Sequence, residues 1–499
     1  MNCLKNKKAG YKNCLLIAAT TIVVMLICCA YTSPLYPYYY NGDNAIFLLL
    51  GKGITEGKTC YVDLFDHKGP ILFFIEALGL TIGGRTGVWC IECLGALLSV
   101  AMIVKTCKEL ESKWIVPVLA TAIVYLYLFG HGNLSENFSL PMIYVCLYFA
   151  AKYYKSEEVK HPPIYALIYG IAFGLLAFIR INNALIICAV VLCIIIRLIK
   201  NKQFGNLLLN LTAGAAGAVL VAAPICLYFY SKDALYDMFY CTFLYNLLYA
   251  GTSTHVSMFS SLKVFALYAA LYAPVVFSTV VFALRLKKAP SAYHVAMLVA
   301  ASLSLIMLAY SNIYDHYFTL AVPVFTLAVA AAVPNVNLNN AISELKKKSD
   351  GKHNYLLWAV LLVSVVYLPL SAYRTAAPIY KTYLTDIEYD RYSQVSSGAS
   401  VIPEEERDSV IGYSIPPEWY IDSEILPCYK YYTMQKWWTT PHLDVYGEFL
   451  EFLETEHPLW IITRVNVDDQ TVMQVLEDDY ELVTENDYAC YYRYCGDKI

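Results

Sequence analysis

The side chains with the clearest potential for chemistry lie in one polar stretch, residues 41–70, between two apolar runs. Its ionisable candidates are Asp43, Asp63, Asp66, His67 and Lys68. Charged groups beside hydrocarbon are unfavourable, so where they occur they tend to serve a function. A carboxylate can accept the proton of a reacting hydroxyl, and an ammonium group can bind a phosphate. We therefore predict Asp43, Asp63 and Asp66 as catalytic candidates and Lys68 as a phosphate ligand.

Four further polar stretches separate later apolar runs. HGNLSEN contains Glu136 and Asn137, FIRINN contains Arg180 and Asn183, SNIYDHY contains Asp315 and His316, and segment 231–262 contains Asp237 and His255. Arginine and histidine, like lysine, can neutralise the charge of a phosphate leaving group. Arg180 and His316 are therefore predicted to join Lys68 in binding a donor phosphate. The other site candidates are His67, Glu136, Asn137 and Asn183.

Each candidate also has a purely structural explanation. Asp43 could cap a helix or form an ion pair. Either Asp63 or Asp66 could serve as a partner of Lys68, which could itself extend along the membrane surface. Arg180 could anchor a helix end. The residue types alone leave these alternatives open.

Composition decides what kind of fold must position these groups. The chain has 499 residues, of which 58% are hydrophobic and 15% charged, whereas a soluble protein carries about 25% charged residues. Apolar runs long enough to span a membrane, or nearly so, recur at 14–33, 87–104, 114–130, 138–151, 163–179, 184–199, 207–230, 264–284, 292–310, 318–334 and 355–372. We predict a polytopic α-helical membrane protein with about eleven transmembrane helices. The net charge of -4 argues against a nucleic-acid partner.

The distribution of Lys and Arg predicts the orientation. Six segments that fall on one side, 1–13, 105–113, 152–160, 197–202, 285–288 and 335–354, carry 20 of these residues, and the short loops 131–137 and 311–317 carry none. Basic loops stay in the cytoplasm, so the N-terminus is predicted inside and the loop 34–86 outside. Residues 70–84 are too short to span, and we expect them to form a helix lying in the membrane interface.

From about residue 373 the long apolar runs stop. Segments 409–413, 459–465, 480–484 and 488–494 have the composition of strands, and 444–456 and 469–478 that of helices. The sequence therefore predicts a membrane module at 1–372 and a small extracytoplasmic α/β domain at 373–499. That domain contains no Gly-rich phosphate loop and no nucleophile elbow.

The polar stretches together resemble the GT-C superfamily of polytopic glycosyltransferases, in particular its family 39-like group of protein O-mannosyltransferases and aminoarabinose lipid A transferases. The resemblance covers roughly residues 1–335. It rests on Gly42-Asp43-Asn44-Ala45, on Tyr61-Val62-Asp63-Leu64-Phe65-Asp66-His67-Lys68-Gly69-Pro70 and on the later stretches at 132–137, 179–183 and 315–318. Relatives often carry an acidic pair where this chain has Asp43-Asn44.

The resemblance implies an inverting transfer of a sugar from a polyprenyl-phosphate donor, with Asp43 as the carboxylate that acts as base. Many relatives work without a metal, so no metal and no cofactor is expected. The implied partners are the lipid-linked donor, membrane lipid and an acceptor that is a protein, a lipid or a cell-envelope glycan. The implied location is the plasma membrane, with the site at its outer face.

Two other functions stay open at this point. A transporter or flippase of a lipid-linked saccharide would place ionisable groups near the middle of the membrane, often in two related halves, whereas here they lie at one face and no two-half symmetry is visible. A surface protein whose tail binds cell-wall material would need no cavity at Asp43. A cavity there that opens both to lipid and to the outside would favour the enzyme.

Overall fold

The computed structural model describes residues 2–39, 42–156, 158–250, 260–310, 314–336, 339–346, 348–349, 352–434 and 444–496. Its helices are Asn2–Cys28, Gly42–Thr55, Pro70–Glu109, Ile115–Leu128, Ser135–Lys155, Pro163–Arg180, Leu185–Lys200, Phe204–Ser231, Leu235–Phe239, Tyr245–Ala250, Leu262–Lys288, Ala292–Tyr310, Val322–Ala332, Ala341–Lys346, Tyr355–Tyr383, Ile387–Ala399, Glu418–Asp422, Asp444–Glu456 and Gln470–Asp479. Short 3-10 segments lie at Ile181–Ala184, Asp315–Ala321 and Glu404–Ser409, and a π-helical turn at Tyr240–Leu244.

All eleven predicted apolar runs fall on helical segments, which confirms the polytopic helical architecture. Within the described residues, seven segments are long and apolar enough to cross a membrane: Pro70–Glu109, Pro163–Lys200, Phe204–Ser231, Leu262–Lys288, Ala292–Tyr310, Asp315–Ala332 and Tyr355–Tyr383. Two shorter apolar helices are Cys14–Cys28 and Ile115–Leu128. One of the seven, Pro163–Lys200, contains two of the predicted runs joined by a 3-10 turn. The count of about eleven spans therefore stays a prediction.

The region 34–86, predicted as a loop, contains a helix that the apolar runs of the sequence did not predict. Residues Gly42–Thr55 form this helix, and every residue from Asn44 to Gly51 in it is buried. At 1.5 Å per residue it is only about 21 Å long, too short to register as a spanning run. Asp43 therefore lies in the first turn of a helix rather than in a loop.

The helix Pro70–Glu109 is interrupted at Gly83 and Gly84, where the backbone leaves helical geometry. Gly84 has φ 61°, a left-handed value that glycine adopts without strain. The two helical pieces then approach closely: a Cβ on Gly79 would lie 2.7 Å from the Cα of Val88. The predicted division between a short helix at 70–84 and the following run matches this break, and the position of the short helix in the membrane interface stays a prediction.

The chain separates into two compact units, each assembled from distant parts of the sequence. The first unit comprises Met1–Cys29, Trp89–Ile225 and Thr254–Ala377, and the second comprises Ala30–Val88, Cys226–Ser253 and Pro378–Ile499. The first is a helical bundle whose core includes the completely buried side chains of Val324, Phe325 and Val329. The second combines the polar stretch 41–70 with the C-terminal sheet.

That sheet has four strands in the order Val410–Tyr413, Trp460–Arg464, Ala489–Tyr494, Tyr480–Glu485. The first pair is parallel and the other two are antiparallel. Helices Asp444–Glu456 and Gln470–Asp479 precede the second and fourth of these strands in that order. Every strand and helix predicted in this region is present within two residues of its expected bounds, so the small α/β fold is confirmed.

Candidate functional site

Lys68 is the centre of the polar cluster in the second unit. Its Nζ atom lies 3.9 Å from Asp43 Oδ1 and 3.9 Å from Asp66 Oδ2. Nζ is also 5.4 Å from the ring centroid of Phe47, one helical turn after Asp43, and the Phe47 ring contacts Phe73 of the next helix. Helices Gly42–Thr55 and Pro70–Glu109, which flank the loop 56–69, therefore hold Asp43 and Lys68 close together.

Asp43 and Asp66 differ in their access to solvent. The side chain of Asp43 is 41% exposed, and that of Asp66 is completely buried. Burial raises the pKa of Asp66. The Lys68 ammonium and the Lys68 N–H act to lower this pKa, and the N–H donates to Asp66 at 2.7 Å. The effect of burial is the larger, so the net shift is upward. Asp43 is thus the carboxylate of this pair that a ligand can reach.

The remaining residues of the loop hold its conformation. The Thr59 N–H donates to Asp63 at 2.6 Å, and the Tyr61 hydroxyl donates to the Lys68 carbonyl at 2.8 Å. The Asn246 amide donates to the carbonyl of His67 at 2.6 Å. Asp63 therefore acts on its own loop and not on Lys68, and His67 is buried with its carbonyl engaged.

The same loop is tied to the C-terminal part of the chain. The Phe65 N–H donates to the carbonyl of Lys430 at 3.0 Å. The Phe65 ring lies between those of Tyr245 and Tyr431, at 5.3 and 5.4 Å. Tyr61 sits at φ 74°, a value unfavourable for a residue with a side chain, and such strain persists only where surrounding contacts enforce it. The loop is therefore held in place by its neighbours.

A second polar cluster lies in the first unit, around Tyr317. Arg180 Nη1 lies 2.9 Å from Glu136 Oε1, and the guanidinium is 4.2 Å from the ring centroid of Tyr317. The His316 ring packs against the same tyrosine at 4.8 Å. Glu136 is only 2% exposed, so its charge depends on Arg180 for compensation. Three of the predicted site residues, Glu136, Arg180 and His316, are thus brought together.

The two predicted asparagines support this cluster rather than extend it. Asn183 donates to the hydroxyl of Ser139 at 2.8 Å and to the carbonyl of Ser135 at 3.2 Å. Asn137 donates to the carbonyl of Phe129 at 3.2 Å. Asn183 is 2% exposed. Both amides therefore connect the start of helix Ser135–Lys155 to neighbouring chain segments.

Arg374 is a member of this cluster that the sequence did not single out. Its guanidinium contacts the carboxylate of Asp315 and lies 5.4 Å from the ring centroid of Tyr127. Asp315 in turn lies 3.7 Å from the His316 ring nitrogen Nδ1. A basic residue just after the apolar run 355–372 was the available signal for it.

Glu92 is the second residue that sequence inspection missed. It accepts a hydrogen bond of 2.6 Å from the Asn133 N–H and is 5% exposed. The turn that it holds is unusual, because four consecutive residues, Gly130 to Asn133, have positive φ values. His131 and Asn133 are strained there. A single carboxylate inside an apolar run was the signal that would have found Glu92.

The structure thus divides the predicted site residues between the two units. Asp43, Asp63, Asp66, His67 and Lys68 belong to the second unit, and Glu136, Asn137, Arg180, Asn183 and His316 to the first. Their convergence into one site stays a prediction. Asp237 lies in the second unit and His255 lies outside the described residues. Among the described residues, no three His, Cys, Asp or Glu side chains are grouped as metal ligands.

Comparison with solved structures identifies the fold. The structure is similar to ArnT from Cupriavidus metallidurans bound to undecaprenyl phosphate, with a TM-score of 0.62, 11% identity and coverage of 96% of this chain and 97% of ArnT. It is also similar to the oligosaccharyltransferase AglB from Archaeoglobus fulgidus in complex with an inhibitory peptide and a dolichol-phosphate, with a TM-score of 0.51, 13% identity and coverage of 96% of this chain and 74% of AglB. At 11% and 13% identity these similarities concern the fold, and they confirm the fold predicted from the sequence.

Comparisons of the sequence alone give one match, to a protein family. No curated protein matches the sequence. The model of one protein family, the competence-induced protein Ccs4 N-terminal domain, matches residues 5–386. The matched segment contains the predicted site residues of both polar clusters. Residues after 386 that contact these clusters, such as Lys430, lie outside it. Because it covers well over half of the 499 residues, the chain belongs to the competence-induced protein Ccs4 N-terminal domain family.

Proposed function

We propose that the protein is a glycosyltransferase that moves a sugar from a polyprenyl-phosphate donor to an acceptor hydroxyl, with inversion and without a metal ion. The observation that carries this proposal is the position of Lys68 between an exposed Asp43 and a buried Asp66. A reachable carboxylate and a fixed cation are the two groups that such a transfer requires.

Asp43 is the proposed catalytic base. In the reaction, the acceptor oxygen forms a bond to the anomeric carbon while the bond from that carbon to the phosphate oxygen breaks. The acceptor proton passes to Asp43, and the electron pair of the broken bond leaves with the phosphate. A single displacement of this kind inverts the anomeric centre. General-base assistance is worth about 10²–10⁴-fold in rate.

Asp66 is proposed to act through Lys68. Its buried carboxyl group accepts the Lys68 N–H and lies next to the Lys68 ammonium, so it fixes the backbone and the side chain of the same lysine. Burial also keeps Asp66 from direct contact with an acceptor. We therefore assign Asp66 a positioning role and Asp63, which holds the Thr59 N–H, a role in loop conformation.

Lys68 in the second unit, and Arg180 and His316 in the first, are each proposed as phosphate-binding residues for the donor. As the sugar leaves, negative charge accumulates on the phosphate, and fixed cations stabilise it most where water is excluded. Arg180 is 16% exposed and is held by Glu136 and Tyr317, so it needs little rearrangement on binding. In this proposal, side chains provide the positive charge that a metal ion would otherwise provide.

The lipid-linked donor and the membrane setting are supported by two lines of argument. ArnT and AglB were solved with undecaprenyl phosphate and with dolichol-phosphate, and both have the fold of this chain. The 20 Lys and Arg residues in the predicted inner segments favour a cytoplasmic N-terminus, and the resemblance to membrane glycosyltransferases implies the plasma membrane. On this topology the module 1–372 places both polar clusters at the outer face, and the domain 373–499 is extracytoplasmic.

The proposal is tested by incubating the purified protein with radiolabelled polyprenyl-phosphate sugars and extracted cell envelope, and then separating the labelled products. We expect a labelled envelope product with the wild type and about 10²–10⁴-fold less with Asp43→Asn. Glu56→Gln is the matched control, since Glu56 is an acid just after the same helix, paired with Lys52 at 3.9 Å. Lipid movement across vesicles without any transfer would instead support a transporter or flippase.

A further inference from the structure

The second unit contains a cavity of about 310 Å³ to which the proposed reaction assigns no ligand. Five tyrosines line its wall: Tyr61, Tyr236, Tyr240, Tyr245 and Tyr431. The rings of Tyr236 and Tyr240 stack at 6.0 Å and 24°, and Tyr236 is 73% exposed. This pair places an exposed aromatic ring at the edge of the cavity, whose volume is at the lower end of the range for ligand pockets, about 300–1,000 Å³.

The charged groups in the same wall are predominantly acidic. The wall contains Asp237, Asp444, Glu448 and Lys430. Lys430 Nζ lies 2.7 Å from Glu448 Oε2, so these two charges compensate each other. Asp237 and Asp444 then leave the wall with a negative balance. A ligand carrying phosphate or carboxylate groups would be repelled here.

The cavity adjoins the loop that carries the proposed catalytic groups. Tyr61 and Phe65 complete part of its wall. The Tyr61 hydroxyl donates to the carbonyl of Lys68, and the Phe65 N–H donates to the carbonyl of Lys430. One short segment therefore lines the cavity with the side chains of Tyr61 and Phe65 and, through the Tyr61 hydroxyl, also holds the backbone of Lys68.

From this arrangement we infer that the cavity binds an uncharged saccharide, which is the acceptor of the transfer. Pyranose rings present C–H faces that pack on tyrosine rings, and their hydroxyls donate to carboxylates. Both kinds of surface meet in this wall. Tyrosine hydroxyls and two carboxylates are poor partners for a lipid tail, and the acidic balance disfavours an anionic polymer. The inference rests on the proposed function and adds the chemical class of its acceptor.

A binding measurement tests the inference independently of transfer. The probes are neutral oligosaccharides of glucose, N-acetylglucosamine, galactose and mannose, with tetragalacturonate as the anionic comparison, titrated into the purified full-length protein by saturation-transfer difference NMR. We expect at least one neutral probe to bind and tetragalacturonate not to bind. If none of the neutral probes binds, the inference is overturned.

Two variants locate the binding. Tyr236→Ala should weaken binding of the neutral probe by about 3- to 10-fold, the effect of one aromatic contact. Tyr230→Ala is the matched control, because Tyr230 is also 73% exposed but does not line the cavity. Asp237→Asn keeps a hydrogen-bonding group and removes a charge, so it should retain the neutral probe and bind tetragalacturonate more readily. Equal binding by Tyr236→Ala and wild type would overturn the inference.

Transfer assays separate this inference from the proposed function. Saccharide binding that responds to Tyr236→Ala, in a protein that transfers no sugar from any lipid donor, would retain the site and reject the glycosyltransferase. Transfer to envelope material that neutral saccharides do not inhibit would retain the enzyme and reject a saccharide acceptor at this cavity.

Discussion

The Lys68 Nζ atom lies 3.9 Å from Asp43 Oδ1, although Asp43 is in the helix Gly42–Thr55 and Lys68 is in the loop that follows it. The same ammonium lies 3.9 Å from Asp66, so one buried cation serves two carboxylates of unequal exposure. Each carboxylate has a different environment and, in the proposed reaction, a different task.

Removing Lys68 should make stability strongly dependent on pH. In Lys68→Met, the buried Asp66 carboxyl loses its cation, and burial then raises its pKa further. Since the pKa in the folded state is above that in the unfolded state, the stability from Asp66 is present at low pH and lost as pH rises through the folded value. The apparent Tm of Lys68→Met should therefore fall more steeply with rising pH than that of the wild type. Breaking a buried pair costs about 3–5 kcal/mol.

Lys68→Met/Asp66→Asn provides the control for that experiment. The double variant has no buried carboxylate to titrate, so its apparent Tm should recover at pH 8 while transfer stays low. If the single and double variants lose stability equally at pH 8, Asp66 is not the group responsible.

Arg180→Lys should weaken donor binding despite keeping the charge. Lysine cannot reproduce both the contact with Glu136 and the packing on Tyr317 that the planar guanidinium makes. A charge-assisted hydrogen bond is worth about 1.5–3 kcal/mol, which corresponds to about 10–140-fold in Kd. Binding of polyprenyl phosphate to the purified protein measures it. Tyr317→Phe keeps the ring and should bind as the wild type does; unchanged affinity in Arg180→Lys would remove Arg180 from the phosphate site.

Asp422 should make the C-terminal region less stable as pH approaches neutrality. Burial raises the pKa of Asp422 to about 7, although Arg391, 3.3 Å away, acts to lower it. Stability from the protonated form is complete below the unfolded value of about 3.9 and is lost as pH rises through about 7. Asp422→Asn should flatten the dependence of apparent Tm on pH between 4 and 8. A variant with the same slope as the wild type would contradict this assignment.

Asn133 should tolerate glycine but not valine. Its φ of 49° and its N–H bond to Glu92 define the turn, and a β-branched residue is strained at such an angle. Asn133→Val is expected to lower stability by about 1–3 kcal/mol, whereas Asn133→Gly should have little effect. Thermal unfolding in detergent compares them. Equal loss in the two variants would mean that the buried amide, rather than the backbone angle, is what matters.

The sequence predicts the parts of this structure that local patterns determine. Long apolar runs must be helical in a membrane, because every backbone polar group needs an internal partner there, and all eleven runs are helical. The strands at 410–413 and 460–464 consist mainly of β-branched and aromatic residues, the types that favour strands. The spacing of apolar residues and the local composition are therefore enough to predict these helices and strands.

What the sequence does not reveal depends on contacts between distant residues. Helix Gly42–Thr55 is short and is stabilised by burial against other segments, so its own apolar run gives too weak a signal. Arg374 contacts Asp315, 59 positions earlier, and Glu92 binds the N–H of Asn133, 41 positions later. No local pattern predicts which distant partner a lone charge will find.

The hydrogen bond from the Phe65 N–H to the Lys430 carbonyl has a consequence for biosynthesis. These residues are 365 positions apart, and ribosomes add about 5–20 residues per second, so Lys430 emerges about 20–70 s after Phe65. During that interval the segment that holds Lys68 lacks its C-terminal support while later helices are still entering the membrane. The contact that ties the Lys68 segment to the C-terminal part of the chain can therefore form only after residue 430 has been synthesised, so this support is the last to be added to the loop.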